Sequence, residues 1–70
     1  MELRFSRHAK NRMRLRSITG AEVDAVVASP LFERLDAKGN RVLIGRPGGR
    51  HVKVVLDTRV DPAFVITVGD

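Results

Sequence analysis

The side chains best suited to proton transfer and anion binding in this sequence are His8, Arg12 and Arg16, which follow one another at intervals of four residues. At about 100° per residue, this spacing places them along one flank of a helix predicted over residues 5–16. An imidazole exchanges protons near neutral pH, and a guanidinium binds a phosphate or a carboxylate through two parallel hydrogen bonds. Proton transfer and oxyanion binding are therefore the two kinds of chemistry open to this flank.

The same flank also has a structural interpretation. It borders the apolar stripe of the predicted helix, and partly burying a charged group is costly unless the group is paired. Arg12 would then bond to strand carboxylates, such as Asp36 or Asp57, or to helix-end carbonyls, and His8 would be a boundary residue with satisfied hydrogen bonds. The stripe is formed by Phe5, Ala9 and Met13.

All of the excess positive charge lies in the first segment of the chain. The formal net charge is +5; residues 1–16 hold six cations and one acid, whereas residues 17–70 hold seven of each sign. Arg7, Lys10 and Arg14 point away from the apolar stripe. A one-sided positive patch is typical of a polyanion binder, and we expect nucleic acid, with an acidic protein surface as the alternative.

Length and composition limit both the fold and the chemistry. Seventy residues suffice for a single domain, 1–70, and with 43% hydrophobic residues but only three Phe, the core is predicted to be thin and aliphatic. A homodimer or another partner surface is one way to complete such a core. The absence of cysteine excludes disulfides, thiolate metal sites and thiol nucleophiles. Without a membrane-spanning apolar run or a signal peptide, a cytoplasmic protein with no membrane contact is expected.

The remaining motifs predict no metal, cofactor or hydroxyl nucleophile. The two histidines, His8 and His51, do not have the His-x-x-x-His spacing of a metal site. The glycine-rich run 45–50 lacks the Gly-Lys-Ser/Thr ending of a phosphate loop and is interpreted as a hairpin turn. His51 stands at the head of a strand and is either an exposed residue or a second acid–base group.

The apolar pattern predicts two helices followed by four strands. Ser6 is the candidate cap of the first helix, Thr19 opens a capping box for the second, and Pro30 ends it. In the last strand, alternation assigns Thr67 to the face opposite Phe64, Ile66 and Val68. The strands are predicted near 31–36, 41–45, 51–57 and 64–68. We expect an α+β domain in which two N-terminal helices pack on one face of a four-stranded antiparallel meander sheet.

A longer pattern extends from the first helix to the last strand. It consists of Phe5-Ser6-x-His8-Ala9-x-x-Arg12-Met13-x-x-Arg16-x-Ile18, then Val23, Gly45-Arg46, Gly49-Arg50, Val54-Val55 and Val65-Ile66-Thr67-Val68. In this pattern the chain resembles the domain-of-unknown-function family numbered 4258, which in turn resembles the RelE/ParE-like toxins. The resemblance implies a RelE/ParE-like fold and a toxin-like, metal-independent endoribonuclease, in which a ribose 2′-hydroxyl attacks the adjacent phosphorus. It also implies RNA and a cognate antitoxin as partners.

The resemblance further implies roles for individual residues. His8 would be the general base or acid, Arg12 its orienting or phosphate-binding neighbour, and Thr67 a hydroxyl that bonds to substrate or fixes Arg12. The cations expected to bind the RNA backbone are Arg7, Lys10, Arg14, Arg16, Arg46, Arg50 and Lys53. Many RelE-like nucleases end the last strand with a further catalytic or stacking side chain, where this sequence has Gly69-Asp70. The alternative is a non-catalytic basic module, either a ParE-like inhibitor of a cellular protein or a nucleic-acid-binding accessory protein.

Overall fold

The computed structural model describes residues 2–70, which form two helices and one five-stranded sheet. In chain order the elements are β1 (Leu3–Phe5), α1 (Arg7–Arg16), α2 (Gly20–Ala28), β2 (Phe32–Leu35), β3 (Arg41–Gly45), a 3₁₀ turn (Pro47–Gly49), β4 (Val52–Asp57) and β5 (Ala63–Gly69). The strand order is β1-β5-β4-β3-β2, with β2 to β5 antiparallel and β1 parallel to β5. The α+β class is confirmed, whereas the expected four-stranded antiparallel sheet was wrong because the sheet is mixed and has a fifth strand.

The strand that was not predicted is β1. It includes Phe5, which the helical spacing had assigned to the first helix. β1 pairs in parallel with residues 63–65 of β5, and α1 begins only at Arg7. Phe5 still packs against the core, but it does so from a strand. Its pairing partner lies about 60 residues away in the chain, so local periodicity does not reveal this strand.

Both helices begin at the predicted caps. The hydroxyl of Ser6 accepts a hydrogen bond from the Ala9 backbone N–H at 2.9 Å. The hydroxyl of Thr19 accepts from the Glu22 N–H at 3.1 Å, and the Glu22 carboxylate accepts from the Thr19 N–H at 2.9 Å. This last bond lowers the pKa of Glu22. The caps satisfy backbone donors that a helix N-terminus leaves without partners, so these starts are fixed locally.

The core lies between the helices and one face of the sheet. α1 packs on β5, and α2 packs on β3 and β4. Gly45 allows α2 to approach closely, because a Cβ at this position would lie 3.1 Å from Cγ2 of Val26. The buried cluster consists of Ala9, Ile18, Val23, Val26, Leu43, Val52, Val54, Leu56, Val65 and Val68. It is aliphatic, as the composition predicts.

A β-bulge in β5 changes which residues face the core. The register with β4 shifts at Ile66, which has no partner in that strand. One extra residue inverts the side-chain alternation, so Val65 rather than Phe64 joins the core. Phe64 instead shares a face of the sheet with Thr67. The predicted apolar face of this strand was therefore wrong for Phe64 and Ile66 and correct for Val68.

Two turns connect β2 to β3 and β3 to β4, and the second of them confirms the hairpin turn predicted for residues 45–50. The carboxylate of Asp36 accepts from the backbone N–H groups of Lys38 and Asn40, both at 2.9 Å, and joins β2 to β3. In the glycine-rich turn before β4, Gly48 has a φ of 66° and Gly49 a φ of 90°. Such backbone angles are readily adopted only by glycine. The backbone of this turn therefore explains why residues 48 and 49 are both glycine.

Candidate nucleic-acid interface

Helix α1 presents a row of exposed cations. Its ten residues, RHAKNRMRLR, contain five Arg or Lys and no acid. Arg7, Lys10 and Arg14 are all exposed, as the helical geometry predicts. Arg14 donates a hydrogen bond to the Asn11 amide oxygen at 3.4 Å, which leaves its charge uncompensated. The outer side of α1 is therefore a compact cationic surface.

The inner side of α1 runs along the edge of β5. The Ser6 N–H donates to the Val65 carbonyl at 3.0 Å, and the Ser6 hydroxyl donates to the Ile66 carbonyl at 2.7 Å. Further along, the Arg12 Nε–H donates to the Val68 carbonyl at 3.5 Å. A strand edge not covered by another strand needs such partners for its backbone groups. Arg12 thus has a structural contact, but it is a strand carbonyl rather than a carboxylate or a helix end.

His8 lies on the surface of α1 and not at the boundary of the core. It is exposed, and within residues 2–70 its side chain has no hydrogen bond or ion pair. It is one helical turn from Arg12, so the two side chains are neighbours on the helix surface. The imidazole is thus accessible to a ligand, and any orientation of its ring would come from that ligand.

Arg16 shares the angular position of Ala9 on the helix, yet it is exposed because it stands in the last turn of α1. Its Nη1 lies 3.6 Å from the carboxylate of Asp70. Asp70 lines a surface depression of about 370 Å³ together with Ile44, His51 and Lys53. The fold therefore brings His51 close to Lys53, one of the cations predicted to bind RNA, and to Asp70, the partner of Arg16. Residues 51 and 53 are two positions apart, so their side chains point to the same side of an extended segment. This spacing is the sequence signal that could have predicted their proximity.

Two other predicted cations, Arg46 and Arg50, have partners inside the domain. Arg50 donates to the carbonyls of Arg16 at 3.0 Å and Ser17 at 2.6 Å. It also lies 3.5 Å from the Glu22 carboxylate. Arg46 donates to a carbonyl of its own turn at 3.1 Å. Helix C-termini leave carbonyls without partners. Arg50 therefore caps the C-terminal end of α1, and only its remaining donors are available to a ligand.

The face of the sheet turned away from the helices, here called the open face, carries aromatic and basic residues. Phe32 is 55% exposed, whereas Val42 and Val55 in the middle of the face are 3% and 9% exposed. The Arg59 guanidinium donates a hydrogen bond to the Asp57 carboxylate at 3.0 Å, and this bond lowers the pKa of Asp57. The strand registers give three rows: Phe32, Ile44 and Lys53; Arg34, Val42, Val55 and Thr67; Asp57, Phe64 and Arg4.

Thr67 lies on this open face, as predicted, whereas α1 packs on the other face of the sheet. Arg12 bonds to the carbonyl of the following residue, Val68, and not to the Thr67 hydroxyl. The three predicted catalytic residues therefore do not form a single site. His8 and Arg12 are neighbours on α1, whereas Thr67 lies on the opposite face of the sheet.

A family model covers almost the whole chain. It matches residues 5–70 and is described as a domain of unknown function, DUF4258. The chain belongs to this family. The resemblance to this family, drawn from the pattern that extends from the first helix to the last strand, is confirmed. Neither a curated protein nor a solved structure matches the sequence.

Two further findings concern the part of the DUF4258 domain that the structure describes. Over residues 2–70, no group of three or more His, Asp or Glu side chains is placed to hold a metal ion. In the same range, neither helix has the length and hydropathy needed to cross a membrane.

Sequence reasoning missed the open face of this DUF4258 domain as a surface. In β2, Phe32 and Arg34 have the period of an exposed strand face, which was a usable signal. Phe64 was assigned to the core, and its actual position depends on the bulge. The joint placement of two Phe and three cations is therefore visible only once the strands are paired.

Proposed function

We propose that this DUF4258 domain binds RNA and that α1 is the principal contact. The observation that carries the proposal is the set of five cations without an acid on a single ten-residue helix. Phosphate groups bind such a surface without regard to sequence, because each Lys or Arg that meets a phosphate releases condensed counterions. Arg7, Lys10 and Arg14 are the side chains that make this contact.

The choice of RNA over an acidic protein has two supports. The open face adds the exposed cations Arg4, Arg34 and Lys53 to those of α1, and a flexible polyanion can follow cations on more than one side of a small domain. The DUF4258 family resembles the RelE/ParE-like toxins, and this resemblance also favours RNA as the polyanion.

A second candidate function is cleavage of the bound RNA. The observation that favours it is the accessible imidazole of His8, one turn from Arg12. In the proposed reaction the ribose O2′ bonds to the adjacent phosphorus while the bond from phosphorus to O5′ breaks. His8 takes the 2′-hydroxyl proton or supplies a proton to the leaving O5′, and solvent exchanges the other. The Nη groups of Arg12, which do not bond to Val68, hold the phosphate oxygens.

Titration of the protein into a labelled single-stranded RNA by fluorescence anisotropy tests the binding proposal. Polyglutamate serves as the competitor, because an acidic protein surface and RNA share negative charge but not phosphate. We expect saturable RNA binding that polyglutamate does not displace at equal charge concentration. Displacement by polyglutamate would refute the proposal and favour an acidic protein partner for α1. No binding of RNA would also refute it.

Incubation of the same RNA in EDTA tests cleavage separately. We expect products with 2′,3′-cyclic phosphate ends from the wild-type protein and none from His8→Ala. The RNA affinity of the variant should stay within about twofold, because Arg7, Lys10 and Arg14, the proposed phosphate contacts, are unchanged. Intact RNA after prolonged incubation with the wild-type protein would reject the second candidate and leave the binding proposal in place. Equal cleavage by His8→Ala would reject the role of His8.

A further inference from the structure

We propose that the open face of the sheet binds unpaired bases of single-stranded RNA, with Phe32 and Phe64 as the stacking side chains. This inference rests on the proposed RNA binding and adds the strandedness of the RNA and a second contact surface. Of the three Phe in the chain, Phe5 packs against the helix-covered core. The other two lie on the open face, where the helices of the domain do not cover them.

The shape of the open face suits flat aromatic ligands. Val42 and Val55 are nearly buried, although they lie outside the core cluster under the helices. They form a low apolar floor between the two aromatic side chains. Phe32 stands at the margin of this floor on the edge strand β2, with 55% of its surface exposed. Bases stack on exposed aromatic rings with little regard to sequence, and a sheet surface is a common platform for this contact.

The charges of the open face complement a phosphate backbone. Lys53 lies in the row of Phe32, Arg34 in the middle row, and Arg4 directly beside Phe64. Among the strand residues of this face, the acid is Asp57, and Arg59 neutralises it. Each aromatic ring therefore has a nearby cation, which is the alternation of apolar and cationic groups that a nucleic-acid strand requires.

The dimensions agree with a short single strand. Phe32 and Phe64 are three strand spacings apart across the sheet and two rows apart along it, which corresponds to about 20 Å. This span fits the lower end of the site sizes of single-strand-binding sheets, about four nucleotides. Duplex bases are stacked on one another and present only their edges, so a flat face of this kind discriminates in favour of single strands.

The decisive variant is Phe32→Ala, assayed against an unstructured RNA of about 12 nucleotides and a duplex of the same length. Loss of one stacked base should weaken single-strand binding roughly 5- to 150-fold and leave duplex binding unchanged. An oligomer of equal charge that lacks bases should bind the wild-type protein and Phe32→Ala equally. The matched control is Leu35→Ala, on the same strand but the opposite face and 68% exposed, which should not alter any affinity.

A second variant gives a direct signal from the same position. The chain has no Trp, so Phe32→Trp introduces one indole whose fluorescence reports on this site alone. We expect quenching by single-stranded RNA and no quenching by the base-free oligomer. This measurement also decides the question if Phe32→Ala fails to fold, because Trp retains the aromatic surface.

The outcomes separate this inference from the proposed function. If Phe32→Ala binds single-stranded RNA like the wild-type protein and Phe32→Trp is not quenched, the open face is not a base-binding surface, while RNA binding by α1 stands. If the wild-type protein binds no RNA, both proposals fail together. If sedimentation velocity shows that Phe32→Ala dissociates a dimer, Phe32 is a contact between copies of the chain and the inference is overturned.

Discussion

Neutralising the exposed cations of α1 should reduce the salt dependence of RNA binding by an amount that the structure specifies. The variant combines Arg7→Gln, Lys10→Gln and Arg14→Gln, three positions that are exposed and free of ion pairs with acids of the described chain. Each phosphate contact on a single strand adds about 0.7 to the slope of log K against log salt concentration. Loss of three contacts should therefore lower the slope by about 2.

The same arithmetic predicts how the affinity ratio of wild type to variant changes with salt. Between about 50 and 200 mM salt, the ratio should fall about 18-fold, because the wild-type protein makes three additional phosphate contacts whose free energy weakens as the salt concentration rises. Fluorescence anisotropy with a labelled single-stranded RNA measures both slopes, and circular dichroism checks that the variant is folded. Lys38→Gln, an exposed cation in the turn between β2 and β3, is the matched control and should leave the slope unchanged. An unchanged slope in the triple variant would refute the assignment of α1 as the phosphate-binding element.

Three further predictions concern the fold that positions these surfaces. Gly45→Ala should lower the free energy of unfolding by about 1–3 kcal/mol, because the new Cβ meets the buried Val26 side chain of α2; urea denaturation measures this, with Gly20→Ala, which meets no atom within 4 Å, as the comparison. Ser6→Ala should lower the free energy of unfolding by about 1–2 kcal/mol, since it removes both the cap of α1 and the hydrogen bond to β5. A decrease of less than a few tenths of a kcal/mol in the same urea denaturation would contradict this account of how α1 is attached. The pKa of Asp36 is lowered by the hydrogen bond from the Asn40 N–H, so this carboxylate stabilises the fold above its unfolded pKa, and its contribution is lost as the pH falls below about 4. Acid titrations should therefore show a smaller loss of stability in Asp36→Asn than in the wild-type protein, and parallel curves would contradict the assignment.

Local signals in the sequence were sufficient for the helices and the turns. Ser6 and Thr19 have side chains that bond to backbone groups within three residues, so the helix starts follow from neighbouring positions alone. The same holds for the Asp36 turn and the outward direction of Arg7. The charge asymmetry and the family motif are likewise properties of the linear sequence, and the family is confirmed.

The sequence alone did not determine which surfaces these residues share, because that depends on pairing between distant segments. β1 exists because it pairs with a strand about 60 residues away, and the bulge at Ile66 moves Phe64 from the expected core face to the open face. The same packing gives Arg50 a structural task at the end of α1. The sequence thus determined that the first helix is cationic and carries His8 beside Arg12, since a helix has a fixed period. Only the tertiary structure placed Thr67 on the other face and joined two Phe and three cations into one surface, since strand register is set by contacts that local periodicity does not contain.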